Sequence, residues 1–353
     1  MSFNGRIVFL TPGFPKDETD QNCLPYLQDL ILLLNEKLGD GHIEVISFHY
    51  PFTSSSYLWN NIQVHAIGGK NRKGLHKLST WIRVLSLLRH IHAKRPIDIL
   101  HAIWLNETAL MAQFFGFLNK INSIVTIIGQ DPLKSNKYLR LISSKNSTLI
   151  GISNFVSEQL LKTTGHRVDE VIPLVCRAER FNNLPETSLS VDVLGVGNLS
   201  PLKNYALFID VIELLVKEHP DLRCAIAGSG KQRAELEKLV ADKHLTHTIQ
   251  FLGETDRDVV LSIMQHSKVL LHTSRYESQG FAMSEALNQG MKVVSTPVSD
   301  TESSEFIEVG KTADELAARV RNALANPLRN SHVFYSPERA VDQYMAHYSK
   351  MLR

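Results

Sequence analysis

The sequence predicts an α/β protein built from two doubly wound domains, and three observations carry that prediction. Short apolar runs that suit buried strands alternate with amphipathic stretches of helical period. Several of the runs, such as IVFL at 7–10 and VLL at 269–271, are apolar throughout, as parallel strands covered on both faces require. At 353 residues the chain has material for two domains of roughly 150 residues each.

In the first half, strands are predicted at 6–10, 43–48, 64–67, 97–101, 123–128 and 148–152. The turn TPGFP leads from the first strand towards a helix at 26–38, a helical run covers 104–118, and Ser153 caps the helix FVSEQLLKT. Pro185 and Ser188 punctuate a linker over 173–190. The expected division is 1–180, 181–335 and a final helical segment 336–353. The second half begins with a strand and turn over 192–199 and a helix bearing Leu207, Val211, Leu214 and Leu215. Strands at 223–227 and 248–252 follow, then a helix at 259–266. After the strand at 269–271 comes a polar turn with Glu277 and a helix opening at Gly280, which Gly290 ends before a strand at Val293. Helices at 312–324 and after Ser336-Pro337 complete the chain.

Composition narrows the function classes. With 43% hydrophobic and 21% charged residues the chain has an ordinary globular balance, and a net charge of +2 argues against a general nucleic-acid binder. The sign is uneven: residues 1–180 carry a net +6 and the remainder a net −4. Cys23, Cys176 and Cys224 have no metal or redox spacing and suit reduced thiols. No apolar run reaches membrane-span length, and the first residues lack a signal-peptide layout, so a cytoplasmic protein is expected.

The stretch 272–297 carries the most chemistry. At a helix start the amides of Gly280, Phe281 and Ala282 have no intrahelical acceptor and favour a phosphate, and a glycine lets that group approach. Glu285 lies five residues on, roughly 7.5 Å along the helix, where a carboxylate can accept from a ribose. Glu277, before the helix, can accept from sugar hydroxyls. The alternative is an amphipathic helix with two solvated glutamates.

The E-x7-E spacing of Glu277 and Glu285, with E-A-L at the second, resembles the donor site of retaining GT-B glycosyltransferases of family 4, the glycosyl transferases group 1. The motifs V-G-x-L…K-N, A-G-S-G-K-x-x-x-x-L and F-L-G-E precede it in the family's order across 190–297. The resemblance implies two Rossmann-like domains facing a cleft, with the last helix returning to the first. It implies retaining transfer from a nucleotide-diphosphate sugar, UDP-sugar rather than GDP-sugar, to a glycan or lipid-linked acceptor, without a metal or other cofactor. Carried over residue by residue, Lys203, Glu277 and Asp131 take the catalytic roles. Gly13, Asn198, Lys203, Glu277, Gly280, Phe281, Ala282 and Glu285 face the donor; Gln130, Asp131 and His101 are acceptor-side candidates. Gly13 equally fits a simple turn between Pro12 and Pro15, and Asp131 a turn before Pro132.

The chain departs from the family at three places. Asn198 stands where an arginine usually meets the diphosphate, Ile128 where the acceptor loop usually has His or Arg, and Val298-Ser299-Asp300 where a Gly-Gly turn is common. Arg275 or Arg177 is available to replace the missing cation. These departures keep two alternatives open: a nucleotide-sugar hydrolase or epimerase, and a non-catalytic binding protein of the same fold. Two other patterns are weaker. Gly228-Ser229-Gly230 lacks the third glycine of a dinucleotide fingerprint, which is Arg233 here, and Asp256-Arg257-Asp258 suits a helix start better than a metal site. Finally, 70–95 holds eight Lys or Arg and no acid around Trp81, Ile82, Leu85, Leu87 and Leu88. It fits either a helix packed on the sheet or one lying on the anionic inner face of the cytoplasmic membrane.

Overall fold

The computed structural model describes residues 3–141, 147–182, 184–328 and 330–352. The chain forms two compact units, one of Met1–Val175 with Pro337–Arg353, the other of Cys176–Ser336.

Unit 1 holds strands β1 (Ile7–Gly13), β2 (Ile43–Tyr50), β3 (Ser55–Trp59), β4 (Ile62–Ala66), β5 (Ile99–Ile103), β6 (Asn122–Ile127), β7 (Thr148–Gly151) and β8 (Glu170–Val171). They form one sheet in the order β3-β4-β2-β1-β5-β6-β7-β8. All pairings are parallel except the β3–β4 hairpin, whose Asn60 and Asn61 have φ of 47° and 62°, the left-handed pair of a type I′ turn. The helices α1 (Pro25–Leu38), α2 (Leu75–Lys94), α3 (Glu107–Asn119) and α4 (Asn154–Thr164) cover the sheet, α4 being capped by Ser153 Oγ on the Val156 amide at 3.1 Å. Ile7, Val8, Phe9 and Leu10 are fully buried, as a central parallel strand requires.

Unit 2 is a sheet of β9 (Val193–Val196), β10 (Cys224–Ala227), β11 (Ile249–Gly253), β12 (Val269–His272), β13 (Lys292–Ser295) and β14 (Ile307–Val309). The order is β11-β10-β9-β12-β13-β14, and every pairing is parallel. In order of occurrence this is 3-2-1-4-5-6, the Rossmann arrangement. Helices α5 (Tyr205–Leu215), α6 (Arg233–Asp242), α7 (Arg257–Gln265), α8 (Phe281–Asn288) and α9 (Ala313–Ala325) flank the sheet over two apolar clusters. One gathers Phe208, Ile212 and Val320; the other gathers Leu261, Met264 and Ala286.

The last helix, α10 (Pro337–Met351), belongs to unit 1. Its Tyr344 and Tyr348 are buried to within 1% of full enclosure. The Tyr348 hydroxyl lies 2.7 Å from His101 Nδ1, and Thr126 Oγ1 lies 2.8 Å from His101 Nε2. His101, expected to face an acceptor, is instead a core residue with no exposed surface and both ring nitrogens occupied. Burial pulls its imidazole down to about 3, so the ring is neutral at pH 7.

Candidate donor site and candidate acceptor loop

In a 3-2-1-4-5-6 sheet the loops after the first and fourth strands diverge, and a crevice opens at their carboxyl ends. In unit 2 those loops follow β9 and β12, and they carry Lys203 and Glu277. The two loops are stitched together: the Arg275 amide donates to Leu202 O at 2.7 Å, and Thr273 Oγ1 to Lys203 O at 3.0 Å. That stitching presents Lys203 to the turn, and its ammonium is ion-paired with Glu277 Oε1.

Glu277 Oε1 also accepts from Ser274 Oγ at 2.9 Å, and His272 Nε2 approaches it at 3.2 Å without the alignment of a hydrogen bond. Burial alone would raise the Glu277 carboxyl, but His272 and Lys203 outweigh it and pull the group down to about 2. His272 is itself enclosed, and burial lowers its imidazole below the ordinary value despite the carboxylate. The result is an ionised carboxylate held on one oxygen, beside a cation.

Gly280 precedes α8 with φ 81°, and a β-carbon there would lie 2.2 Å from Met283 Cε. Glycine therefore meets both demands of this turn, a left-handed backbone and close packing. Phe281 and Ala282 open the helix as expected. Met291 N bonds to Ala286 O at 3.0 Å, with Gly290 at φ 80° terminating the helix.

Glu285 is 7% exposed, and Arg257 Nε donates to its Oε1 at 2.7 Å. The Arg257 guanidinium also lies over the Phe281 ring, 5.5 Å from the centroid. Sequence reading did not foresee Arg257. It is the middle residue of the Asp256-Arg257-Asp258 pattern and opens α7, with Asp256 at the cap position but forming no side-chain cap bond. Asp258 faces Arg180 at 3.6 Å.

Asn198 is exposed in the loop after β9. Of the two replacement cations, Arg275 bonds Asn204 Oδ1 at 3.2 Å, next to Lys203, while Arg177 lies 3.3 Å from Glu179. The Gly228-Ser229-Gly230 turn has a packing reason. A β-carbon on Gly228 would fall 2.0 Å from Gly197 O, and one on Gly230 2.4 Å from Leu199 O. These glycines let the loop after β10 lie against the loop after β9.

The remaining candidates lie in unit 1. Gly13 ends β1, with its nearest side-chain neighbour, Tyr50 Cβ, 3.5 Å from where its own β-carbon would stand. Asp131 Oδ2 accepts from the Leu105 amide at 2.7 Å and the Ile128 amide at 3.1 Å. Burial pushes this carboxyl up to about 7 against those two bonds. Asp131 thus organises the loop after β6, while Gln130 beside it is exposed. A further cluster was not foreseen. Glu107, at the start of α3, accepts from His49 Nε2 at 2.8 Å and from Trp81 Nε1, with Lys77 Nζ 3.1 Å away. Lys77 also lies 5.3 Å from the centre of the Tyr138 ring.

Comparison with known proteins places this geometry. Across 98% of this chain and 100% of the other, the fold matches Anabaena Alr3699/HepE in complex with UDP and glucose, with a TM-score of 0.75 at 15% identity. Sucrose-phosphate synthase from Thermosynechococcus elongatus matches across 98% and 99%, with a TM-score of 0.73 at 19% identity. The chain therefore has the two-domain GT-B fold of glycosyltransferases. Residues 177–338, which take in nearly all of unit 2, match the family model described as Glycosyl transferases group 1.

Among curated relatives, the Schizosaccharomyces pombe phosphatidylinositol N-acetylglucosaminyltransferase gpi3 subunit is 25% identical over 287 residues, 77% of this chain and 63% of its own length. The Staphylococcus aureus poly(ribitol-phosphate) alpha-N-acetylglucosaminyltransferase is 27% identical over 179 residues, 50% of this chain and 35% of its own. The chain spans 63%, 43% and 55% of three such relatives.

Proposed function

We propose that this chain is a retaining glycosyltransferase that moves a sugar from a nucleotide-diphosphate sugar, UDP-sugar before GDP-sugar, to a glycan or lipid-linked acceptor. The observation that carries the reading is the meeting of Lys203 and Glu277 at the switch point of the unit 2 sheet. In this reading Lys203 and the α8 amides stabilise the charge of the departing diphosphate, Glu277 holds sugar hydroxyls through its second oxygen, and Glu285 meets the ribose. Positive charge develops on the sugar, the acceptor hydroxyl attacks the same face, and the leaving phosphate takes its proton. No protein base and no metal is assigned a step, so transfer should survive a chelator. The curated relatives, whose names specify phosphatidylinositol and poly(ribitol-phosphate) acceptors, support a surface-polymer or glycolipid product.

Calorimetry with UDP- and GDP-sugars tests the donor reading. Binding that disappears in Glu285→Ala supports it, and absence of binding to every nucleotide overturns it. Asn198, lacking the usual charge, favours a non-catalytic binder as the second reading. Turnover of a bound donor would exclude that alternative; formation of free sugar alone, without transfer to any acceptor, would favour a hydrolase.

The finer reading of location is peripheral contact with the inner face of the cytoplasmic membrane through α2. Its support is an outward row of Leu75, Leu78 and Ile82, at 85%, 51% and 59% exposure, on a helix whose opposite face buries Val84, Leu88 and Ile91. The buried face is the one expected of a helix packed on the sheet, and the exposed row is what supports the lipid reading.

A further inference from the structure

We propose that unit 1 contains a phosphate-binding cavity beside the acceptor loop, formed by Lys134, Arg140 and His166, which holds a phosphate ester on the acceptor. The inference rests on the glycosyltransferase reading and narrows its acceptor to a phosphate-bearing molecule.

The cavity encloses about 530 Å3, within the roughly 300–1,000 Å3 usual for small-molecule sites. Leu105, Leu139, Leu149 and Leu160 give it an apolar floor, while Lys134, Arg140 and His166 stand at its rim. Among the described residues no carboxylate lines it. Among the described residues neither Lys134 nor Arg140 has an acidic partner, and the His166 ring makes no hydrogen bond. Two uncommitted cations and an imidazole around one cavity form a donor set suited to a phosphate, and charge-assisted bonds to phosphate are among the stronger polar contacts.

One feature opposes the charge: the carboxyl end of α4 reaches the rim at Thr163 and Thr164. Those hydroxyls are turned back onto Gln159 O at 2.9 Å and Leu160 O at 2.8 Å, so their protons are spent within the helix and not on the cavity. His166 follows directly. Anion recognition therefore falls to the three basic groups.

The cavity is tied to the acceptor loop by its own wall. Asn136 Nδ2 donates to Leu105 O at 2.7 Å and to Asp131 O at 2.9 Å, while Asp131 Oδ2 holds the Leu105 amide at 2.7 Å. Two residues lining the cavity, Leu105 and Asn136, are thus the ones that fix the 128–131 loop. A phosphate seated here would place the rest of the molecule along the loop bearing Gln130.

The test is calorimetry on the full chain with glycerol 3-phosphate, dioctanoyl phosphatidylglycerol and, as an uncharged control, octyl glucoside. The wild type should bind at least one phosphate ester and not the control, with affinity falling as salt rises. The Lys134→Ala/Arg140→Ala double variant should bind that ester at least tenfold more weakly. Both side chains are exposed, so its melting temperature and its affinity for UDP should be unchanged. Tighter binding of the lipid would assign the leucine floor to acyl chains, and equal binding would assign recognition to the phosphate alone. The proposal is overturned if neither ester binds the wild type, or if the double variant binds as the wild type does. Failure of the donor reading would show separately, as a wild type that does not bind UDP.

Discussion

Arg257 and Glu285 form an ion pair almost sealed from water, with side chains 6% and 10% exposed. The two residues are 28 positions apart and come from adjacent helices, so the carboxylate expected to meet a ribose is already oriented before any ligand arrives. Removing the guanidinium leaves a buried charge without its main counter-ion. Arg257→Ala should therefore lose about 3–5 kcal/mol of stability. Far-UV circular dichroism in urea is the appropriate measurement, because Trp59, Trp81 and Trp104 all lie in unit 1 and their fluorescence would miss a unit 2 transition. A loss below 1 kcal/mol would mean that Glu285 is held mainly by other contacts.

Lys203 and Asn198 offer a loss and a gain in the same loop. A charge-assisted contact to phosphate is worth ~1.5–3 kcal/mol, or roughly a tenfold to hundredfold change in affinity. Lys203→Ala should weaken UDP binding within that range. Asn198→Arg adds a cation at an exposed position, with no charge to bury, and should tighten UDP about tenfold. An unchanged affinity in both variants would remove the diphosphate from this loop.

Glu107 should govern part of the acid limb of stability. Burial raises its carboxyl, but His49, Trp81 and Lys77 together bring it down to about 2. The unfolded chain, with an ordinary carboxylate, binds the proton first as pH falls. The contribution of Glu107 is therefore complete above about pH 4.5 and is lost as pH drops towards 2. Glu107→Gln should be less stable at pH 7 and show a flatter decline between pH 4.5 and 2.5. Tryptophan fluorescence in urea reads this directly, since Trp81 is itself a donor to Glu107. Parallel declines in the two proteins would refute the assignment.

For α2, vesicle flotation separates the two faces. The wild type should float with vesicles containing phosphatidylglycerol and remain behind with purely neutral ones. Leu75→Ser/Leu78→Ser/Ile82→Ser should abolish flotation without loss of fold, because those side chains face outward. Charge neutralisation is best made at Lys70, Arg72, Lys73 and Arg89, since Lys77 is engaged with Glu107. Flotation unaffected by the serines would make the exposed row irrelevant to lipid.

The sheets were largely legible because fully covered parallel strands leave unbroken apolar runs, as at Ile7–Leu10 and Val269–Leu271. The Glu277–Glu285 spacing was legible for a related reason: a turn and one helix fix it locally. What escaped depended on partners distant in sequence. Arg257 looks like an exposed helix residue until α8 packs beside it, and His272 looks like a strand end until Glu277 turns back towards it. His101 was misplaced because its environment comes from Tyr348, 247 residues away. The β3–β4 hairpin carried a readable signal in Asn60-Asn61, masked by the serines of β3. β14 spans three residues, too short for a periodic pattern.

The return of α10 also sets an order of events during synthesis. The His101 environment in unit 1 is completed by Tyr344 and Tyr348, which are translated only after every residue of unit 2. The amino-terminal unit must wait, with its first strands already made, while the later unit emerges and assembles from contiguous chain. Released chains truncated after residue 336 should therefore show a protease-resistant unit 2 and a sensitive unit 1. Protection of unit 1 should arrive only with the final helix.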